Sequence, residues 1–242
     1  MSQLIPLPPS LEPFLALYLP RNGVPFVTLT YAQSLDAKIA AGPGLQTVIS
    51  HLETKTMTHY LRSKHDAILV GLGTVLSDDP GLNCRYNAHR IRPVVVDPRR
   101  QWVYQGSRID CTVASGDGLA PFIIIDAATE VPKAADAYLE AAGGRYVRLE
   151  RAGGQFDWRR LLDALAEYGI GSVMVEGGAK VINSLLVYQS EGKGVVDSLI
   201  VTVGPVYLGD QGVGVSPMKN VWPSSVTWWS GVQDSVMCAK LE

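Results

Sequence analysis

Short apolar runs alternate with amphipathic segments along the chain. The run at 67–70 is too short for a helix and is bounded by Gly71, which is typical of a buried strand. Similar runs predict strands at 25–31, 93–97, 121–126, 172–176 and 198–203. Because runs that are apolar on both faces suit parallel strands covered by helices, the pattern predicts one α/β domain with a mainly parallel sheet and helices on both faces. The stretch at 228–239 predicts antiparallel edge strands.

Helix signals lie between these strands. Ser50 and Glu53 have the spacing of a capping box and predict a helix to about Lys64. Its predicted apolar face consists of Leu52, Met57, Tyr60 and Leu61. Asp157 predicts the start of a later helix and Gly169 its end. Residues 1–24 are rich in proline, and they predict an extension, with a short helix capped by Ser10, that packs on the domain 25–242.

The segment that follows the 67–70 strand carries the first candidate site. Gly71, Gly73 and Thr74 predict a tight polar turn at the carboxyl end of the strand, where ligands bind in open α/β sheets. Two acids at 78 and 79 and the cation Arg85 follow within a few residues. The glycines alone would be explained by a tight turn, but their clustering with acids, a hydroxyl and an arginine favours a binding site.

A second candidate site lies at 175–180. There a strand ends at Glu176, and Gly177 and Gly178 lead into a helix, whose exposed N–H groups and dipole suit a phosphate. A plain strand–helix turn is the alternative. A third and weaker candidate is the polar stretch 34–38, including Asp36, which a solvated loop would also explain.

Composition excludes several classes of function. The formal net charge of −2 and the pI near 6.1 argue against nucleic acid or anionic lipid as the main partner. Three separated cysteines fit neither a zinc site nor a disulfide framework and favour a reducing compartment, so we expect a cytosolic protein. No apolar run approaches the ~20 residues that span a bilayer. His51, His59 and His65 lack metal-ligand spacing and are interpreted as surface residues on or beside a helix.

Together these motifs resemble the reductases of the riboflavin pathway. The matching segments are 34–40, 61–85, 92–97 and 173–178, with Ala37 where that family usually has glycine. The resemblance implies a dihydrofolate-reductase-like fold, NADPH as hydride donor, and a homodimer. It implies a pyrimidinone substrate with a ribosylamino 5′-phosphate group, reduced to the ribitylamino form. The zinc-deaminase motif P-C-x-x-C is missing from the chain, so it resembles the stand-alone fungal and archaeal type, which acts before deamination.

The resemblance also assigns roles to individual residues. Cofactor contacts fall on Ala32, Thr74, Asp78, Gly177, Gly178, Ala179, Lys180 and Val181. Substrate contacts fall on Arg62, Leu82, Arg85 and Glu176. These chemistries are consistent, because arginine binds phosphate through paired charged hydrogen bonds and a glutamate accepts from pyrimidine amino groups. Asp36 and Asp79 are hypothesised either to orient a water for protonation of the sugar or only to brace the loops.

Three other functions remain open at this stage. One is a reductase of the same family that acts after deamination, on the dione. Another is a nucleotide-binding protein that kept the fold but lost turnover, and a third, less favoured, is a generic dihydrofolate reductase. A preference for NADPH over NADH requires a cation near the extra phosphate, for which Arg99 and Arg100 are candidates.

Overall fold

The computed structural model describes residues 3–21 and 25–241. The helices are α1 (Leu11–Leu15, followed by a 3₁₀ turn, Ala16–Tyr18), α2 (Leu52–Arg62), α3 (Leu72–Asp78), α4 (Arg108–Ala114), α5 (Lys133–Ala141), α6 (Trp158–Ala166) and α7 (Ala179–Ser190). The strands are β1 (Phe26–Gln33), β2 (Lys38–Ala40), β3 (Ala67–Gly71), β4 (Arg92–Val96), β5 (Phe122–Asp126), β6 (Arg145–Leu149), β7 (Arg151–Ala152), β8 (Gln155–Phe156), β9 (Ser172–Gly177), β10 (Ser198–Val203), β11 (Val213–Gly214), β12 (Ser224–Ser230) and β13 (Ser235–Lys240).

Nine of these strands form the central sheet, in the order β12-β13-β10-β1-β9-β3-β4-β5-β6. From β10 to β6 all neighbours are parallel. The two C-terminal strands, β12 and β13, add antiparallel partners at one edge, as the sequence predicts. The predicted α/β fold class with a mainly parallel central sheet is therefore confirmed.

Side chains alternate between the two faces of the sheet, and each face is covered by helices. On β3, Ala67 and Leu69 join the cluster that contains residues of α6 and α7. Ile68 and Val70 belong to a cluster on the other face, with Ile109 of α4. A third cluster packs α1 and α2 against β9, β10 and β13. Within the described residues, no helix is both long enough and apolar enough to cross a membrane.

The start of α2 differs from the prediction. The helix begins at Leu52 with His51 as N-cap, so the Ser50–Glu53 capping box is wrong. Tertiary contacts replace it, because Asp234 accepts from the backbone N–H of His51 at 2.8 Å, and Glu53 accepts from the backbone N–H of Val232 at 2.8 Å. Leu52 is 49% exposed and does not belong to the apolar face.

The predicted cap of α6 is confirmed, since the Asp157 carboxylate accepts from the backbone N–H of Arg160 at 3.0 Å. We expect Asp157→Ala to lower the free energy of unfolding by about 1 kcal/mol, because a helix donor loses its acceptor. Ser50→Ala is the matched control and should change it by less than about 0.5 kcal/mol. Urea unfolding of both variants measures this, and an equal loss in the two would contradict the assignment.

The proline-rich segment contacts the domain through α1 and the turn that follows it. Leu11, Leu15 and Tyr18 are buried together with Met57 and Leu61 of α2. The Ser10 hydroxyl does not cap α1; it accepts from the indole N–H of Trp229 at 2.9 Å. A domain boundary between residues 24 and 25 stays a prediction, and parts of the segment, 1–2 and 22–24, lie outside the described residues.

Candidate active site

The carboxyl ends of the parallel strands bring the candidate segments to one edge of the sheet. Strand β9 lies between β1 and β3 and is parallel to both, so its end at Gly177 shares one edge of the sheet with the ends of β1 and β3, at Gln33 and Gly71. Ala32 of β1 lies at the same edge. The segments that the sequence analysis singles out, far apart along the chain, thus form one continuous region.

Two of these segments touch directly. A Cβ atom added at Gly178 would lie 3.3 Å from the Thr74 hydroxyl, and one at Gly71 would lie 2.9 Å from Cγ2 of Val181. Gly177 has φ +118°, a conformation that L side chains rarely adopt. The start of α3 and the start of α7 therefore approach each other closely because glycine occupies these positions.

The tight polar turn predicted after β3 is wrong. Helix α3 begins at Leu72, directly after the strand, and Gly73 and Thr74 lie in its first turn. Gly71, as the N-cap, has an extended backbone with φ −83° and ψ 162°. Strand and helix follow without a loop, which brings the Thr74 side chain to the sheet edge beside Gly178.

The edge suits an anionic group. Helix α7 runs from Ala179 to Ser190, and the first backbone N–H groups of a helix lack intrahelical acceptors. Together with the positive end of the helix dipole, they attract phosphate oxygens. Lys180, in the first turn, is exposed and adds a positive charge.

Two nearby glycines give a paired prediction. We expect Gly71→Ala to lower the free energy of unfolding by about 2 kcal/mol, because the new methyl group would overlap Val181 at 2.9 Å. Gly73→Ala should raise it by about 0.5–1 kcal/mol, since Gly73 is helical and alanine favours the helix. A Cβ at Gly73 has no neighbouring atom within 4 Å. Denaturant unfolding measures both free energies. A loss of stability in both variants would refute the assignment of the loss to the contact between Gly71 and Val181.

Arg62 and Glu176 form a two-point ion pair beside this edge. Nε and Nη2 of Arg62 donate to the Glu176 carboxylate at 2.8 and 2.7 Å, and Nη1 donates to the carbonyl of Asn83 at 2.9 Å. Burial disfavours the charged guanidinium, but the Glu176 carboxylate outweighs it and raises the pKa of Arg62. Glu176 thus lies on the face of the sheet that α2 covers, held in one orientation by an arginine.

Arg85 is held by a histidine. Its Nε and Nη2 atoms both lie close to Nε2 of His59, at 3.1 and 2.9 Å. Burial, with the charges of Arg62, Arg85 and Lys55, lowers the pKa of His59 to about 3. His59 is therefore neutral at physiological pH and accepts hydrogen bonds from the guanidinium.

The interpretation of the histidines as surface residues is wrong for two of the three. His59 and His65 are 5% and 1% exposed. The two ring nitrogens of His65 are hydrogen-bonded to the Thr28 hydroxyl and the Leu61 carbonyl, both at 2.8 Å, so both of its partners lie inside the protein. The sequence does carry a signal for His59, because it precedes Arg62 by three residues and so shares its helix face.

The two candidate acids have bracing contacts. Asp36 accepts from the Ser34 hydroxyl and from the backbone N–H groups of Leu208 and Gly209, which lowers its pKa to about 2. Asp79 accepts from the backbone N–H of Arg108 at 3.0 Å, at the start of α4. A catalytic role for either stays a prediction.

The resemblance also assigns roles to Asp78 and Leu82. Asp78 is the last residue of α3 and is half-buried, while Leu82 is buried in the loop that leads to Arg85. A cavity of about 690 Å³ is lined by Arg85 and Tyr86 and, from the N-terminal segment, by residues 3–9 and Glu12.

A family model described as the RibD C-terminal domain matches residues 25–226. The chain belongs to the RibD C-terminal domain family. The resemblance to the reductases of the riboflavin pathway is thus confirmed.

Members of the RibD C-terminal domain family from fungi align over nearly the whole chain. A Debaryomyces hansenii protein, named 2,5-diamino-6-ribosylamino-4(3H)-pyrimidinone 5′-phosphate reductase, is 53% identical over 98% of this chain and 99% of its own length. The Saccharomyces cerevisiae protein of the same name is 44% identical over 98% of each chain. The Aquifex aeolicus riboflavin biosynthesis protein RibD is 29% identical, and the match covers 77% of this chain but 48% of that protein.

Solved structures agree with this relationship. The riboflavin biosynthesis reductase of Saccharomyces cerevisiae superposes with a TM-score of 0.81 at 40% identity, over 96% of this chain and 100% of that one. Since relatives at this identity and coverage are reductases, the chain is a reductase and an oxidoreductase.

Proposed function

We propose that this protein reduces the ribosylamino side chain of 2,5-diamino-6-(ribosylamino)pyrimidinone 5′-phosphate to the ribitylamino form, in riboflavin biosynthesis, with NADPH. The observation that carries the proposal is the pairing of two different recognition groups at one edge: the glycine-lined start of α7 beside Thr74, and the carboxylate of Glu176 with Arg85 nearby. The names of the fungal relatives support the same substrate.

The chain's own residues fit a nicotinamide dinucleotide. Glycine at 71, 177 and 178 lets the strand ends pack closely against Thr74 and the first turn of α7, because an added Cβ would meet Val181, Ile182 or Thr74 within 3.3 Å. This packing brings the unpaired first N–H groups of α7 to the sheet edge. Ala32, Thr74, Asp78 and residues 177–181 would hold the cofactor, with its phosphates on the first turn of α7. When bound, NADPH supplies the hydride.

Glu176 and Arg85 would bind different parts of the substrate. Each oxygen of Glu176 accepts one bond from Arg62 and keeps further acceptor capacity for pyrimidine amino groups. The N–H groups of Arg62 are directed to Glu176 and Asn83, so we assign the 5′-phosphate chiefly to Arg85. Burial lowers the pKa of Arg85, and the like charges of Arg62 and Arg108 lower it further. An anion bound at this point relieves the repulsion between these charges.

The test is NADPH oxidation at 340 nm by the purified protein, with the diamino compound and its deaminated dione offered separately. Turnover chiefly on the diamino compound is expected. Turnover chiefly on the dione would keep the family and reverse the order of reduction and deamination. NADPH binding without turnover on either compound would overturn the proposal in favour of a catalytically silent protein.

We also propose a homodimer. Val226 and Trp228, at 44% and 60% exposure, lie on β12, which forms one edge of the sheet. Exposed edge strands with apolar side chains favour pairing with another chain. Light scattering after size-exclusion chromatography measures the mass, and a monomer would refute this. The cytosolic location and the preference for NADPH stay predictions.

A further inference from the structure

His59 lies between two arginines that are held in different ways. Arg62, three residues later on α2, is neutralised by the Glu176 carboxylate. Arg85 directs its Nε–Nη2 edge at Nε2 of His59, at 3.1 and 2.9 Å. The imidazole is 5% exposed, so protein atoms rather than solvent fix its orientation.

Arg85 directs three N–H groups at the His59 ring. Its Nε and Nη2 atoms lie 3.1 and 2.9 Å from Nε2, and its backbone nitrogen lies 3.3 Å from Nδ1. A neutral imidazole accepts at one ring nitrogen only. The two shorter contacts are both with Nε2, which favours Nε2 as the acceptor and joins the ring to the guanidinium.

A neutral acceptor has a specific consequence for Arg85. The charged groups that act on His59 are Arg62, Arg85 and Lys55, all cationic, so the ring stays unprotonated. A carboxylate in this place would orient the guanidinium but also cancel its charge, as Glu176 does for Arg62. Histidine orients the group and adds no negative charge of its own.

We propose that His59 is the positioning residue of the phosphate site: its Nε2 atom fixes the Arg85 guanidinium in the orientation that receives the 5′-phosphate of the substrate, without neutralising it. The proposal rests on the proposed function for the identity of the phosphate compound. It adds a substrate-specificity residue on α2, outside the residues that the family motifs single out.

The test compares two substrates in His59→Leu, which removes the acceptor. The KM for the phosphorylated substrate should rise about tenfold, the effect of losing a charged hydrogen bond. The KM for the dephosphorylated nucleoside, the KM for NADPH and kcat should stay within about twofold of wild type. His59→Gln keeps a neutral acceptor and should restore most of the KM for the phosphorylated substrate. In Arg85→Ala, adding His59→Leu should cause no further rise, since His59 acts through Arg85.

His65→Leu is the matched control, because it removes another buried histidine whose partners are Thr28 and Leu61. It should lower stability without a phosphate-specific rise in KM. Equal KM changes for both substrates in His59→Leu, or an unchanged KM, would overturn the proposal.

Binding of ribose 5-phosphate alone, by titration calorimetry, separates this proposal from the proposed function. Weaker binding by His59→Leu than by wild type is expected even if neither pyrimidine is reduced, and then only the reaction would be wrong. Equal binding by the two proteins would refute the positioning role of His59, and no binding by wild type would refute the phosphate site itself. If His59→Leu does not fold, His59→Gln against Arg85→Ala in the same titration decides, because only the first should retain binding.

Discussion

Glu176→Ala is expected to lower the free energy of unfolding by about 3 kcal/mol, because it leaves the Arg62 guanidinium buried without its counter-charge. The side chains of Arg62 and Glu176 are 12% and 18% exposed, so water compensates little of the loss. Urea unfolding at pH 7 gives the value.

The double variant Arg62→Met, Glu176→Met is the matched control. It removes both charges and keeps apolar volume, so it should recover most of the stability, since buried ion pairs replaced by packed side chains are often neutral. A double variant as unstable as the single one would mean that shape, and not the uncompensated charge, explains the loss. Both variants should fail to reduce the pyrimidine substrate.

Lowering the pH from 7 to 5 is expected to reduce the free energy of unfolding by about 4 kcal/mol through His59 and His65 alone. Burial lowers the pKa of His59 to about 3 and that of His65 to about 4, below the ordinary value of 6.5. The unfolded chain therefore binds protons first as the pH falls. The stabilisation is fully present above pH 6.5 and is lost progressively as the pH falls toward 4 and 3.

Urea unfolding at pH 7 and pH 5 measures this change, and His59→Gln provides the comparison. Because glutamine does not titrate, this variant should lose about half of the histidine contribution, about 2 kcal/mol of the difference between the two pH values. The same pH dependence in wild type and variant would show that the pKa of His59 is the same in the folded and the unfolded protein.

Buried strands were the most predictable part of the fold. The continuous apolar runs of β3, β4, β5, β9 and β10 specify parallel strands that are covered on both sides. Strand β6 carries Arg145 and Arg148 and lies at an edge, so it has no such run. Helix α5 buries only Leu139, so a single position marks its core face.

The sequence motifs indicate candidate site residues, whose binding roles stay predictions, but they do not indicate the contacts between those residues. The family motifs contain Arg62 and Glu176, yet nothing in a linear pattern pairs two side chains that only the folded sheet brings together. The capping box failed for the same reason, because Asp234 and Val232 of the distant hairpin supplied the partners. His59 was missed because its partner Arg85 lies 26 residues further along the chain, in a loop that the helix pattern does not place.

The position of β9 in the sheet determines when the site can exist. Phe26 of β1 pairs with Ser172 and Ala67 of β3 pairs with Val173, so β9 enters between two strands that are synthesised long before it. Until then the nascent chain carries Arg62 without Glu176, and α3 without α7. Contacts of such long sequence separation form late in folding. Ligand binding therefore becomes possible only after β9 has paired with both β1 and β3. The time at which NADPH binding appears during refolding would measure when β9 inserts.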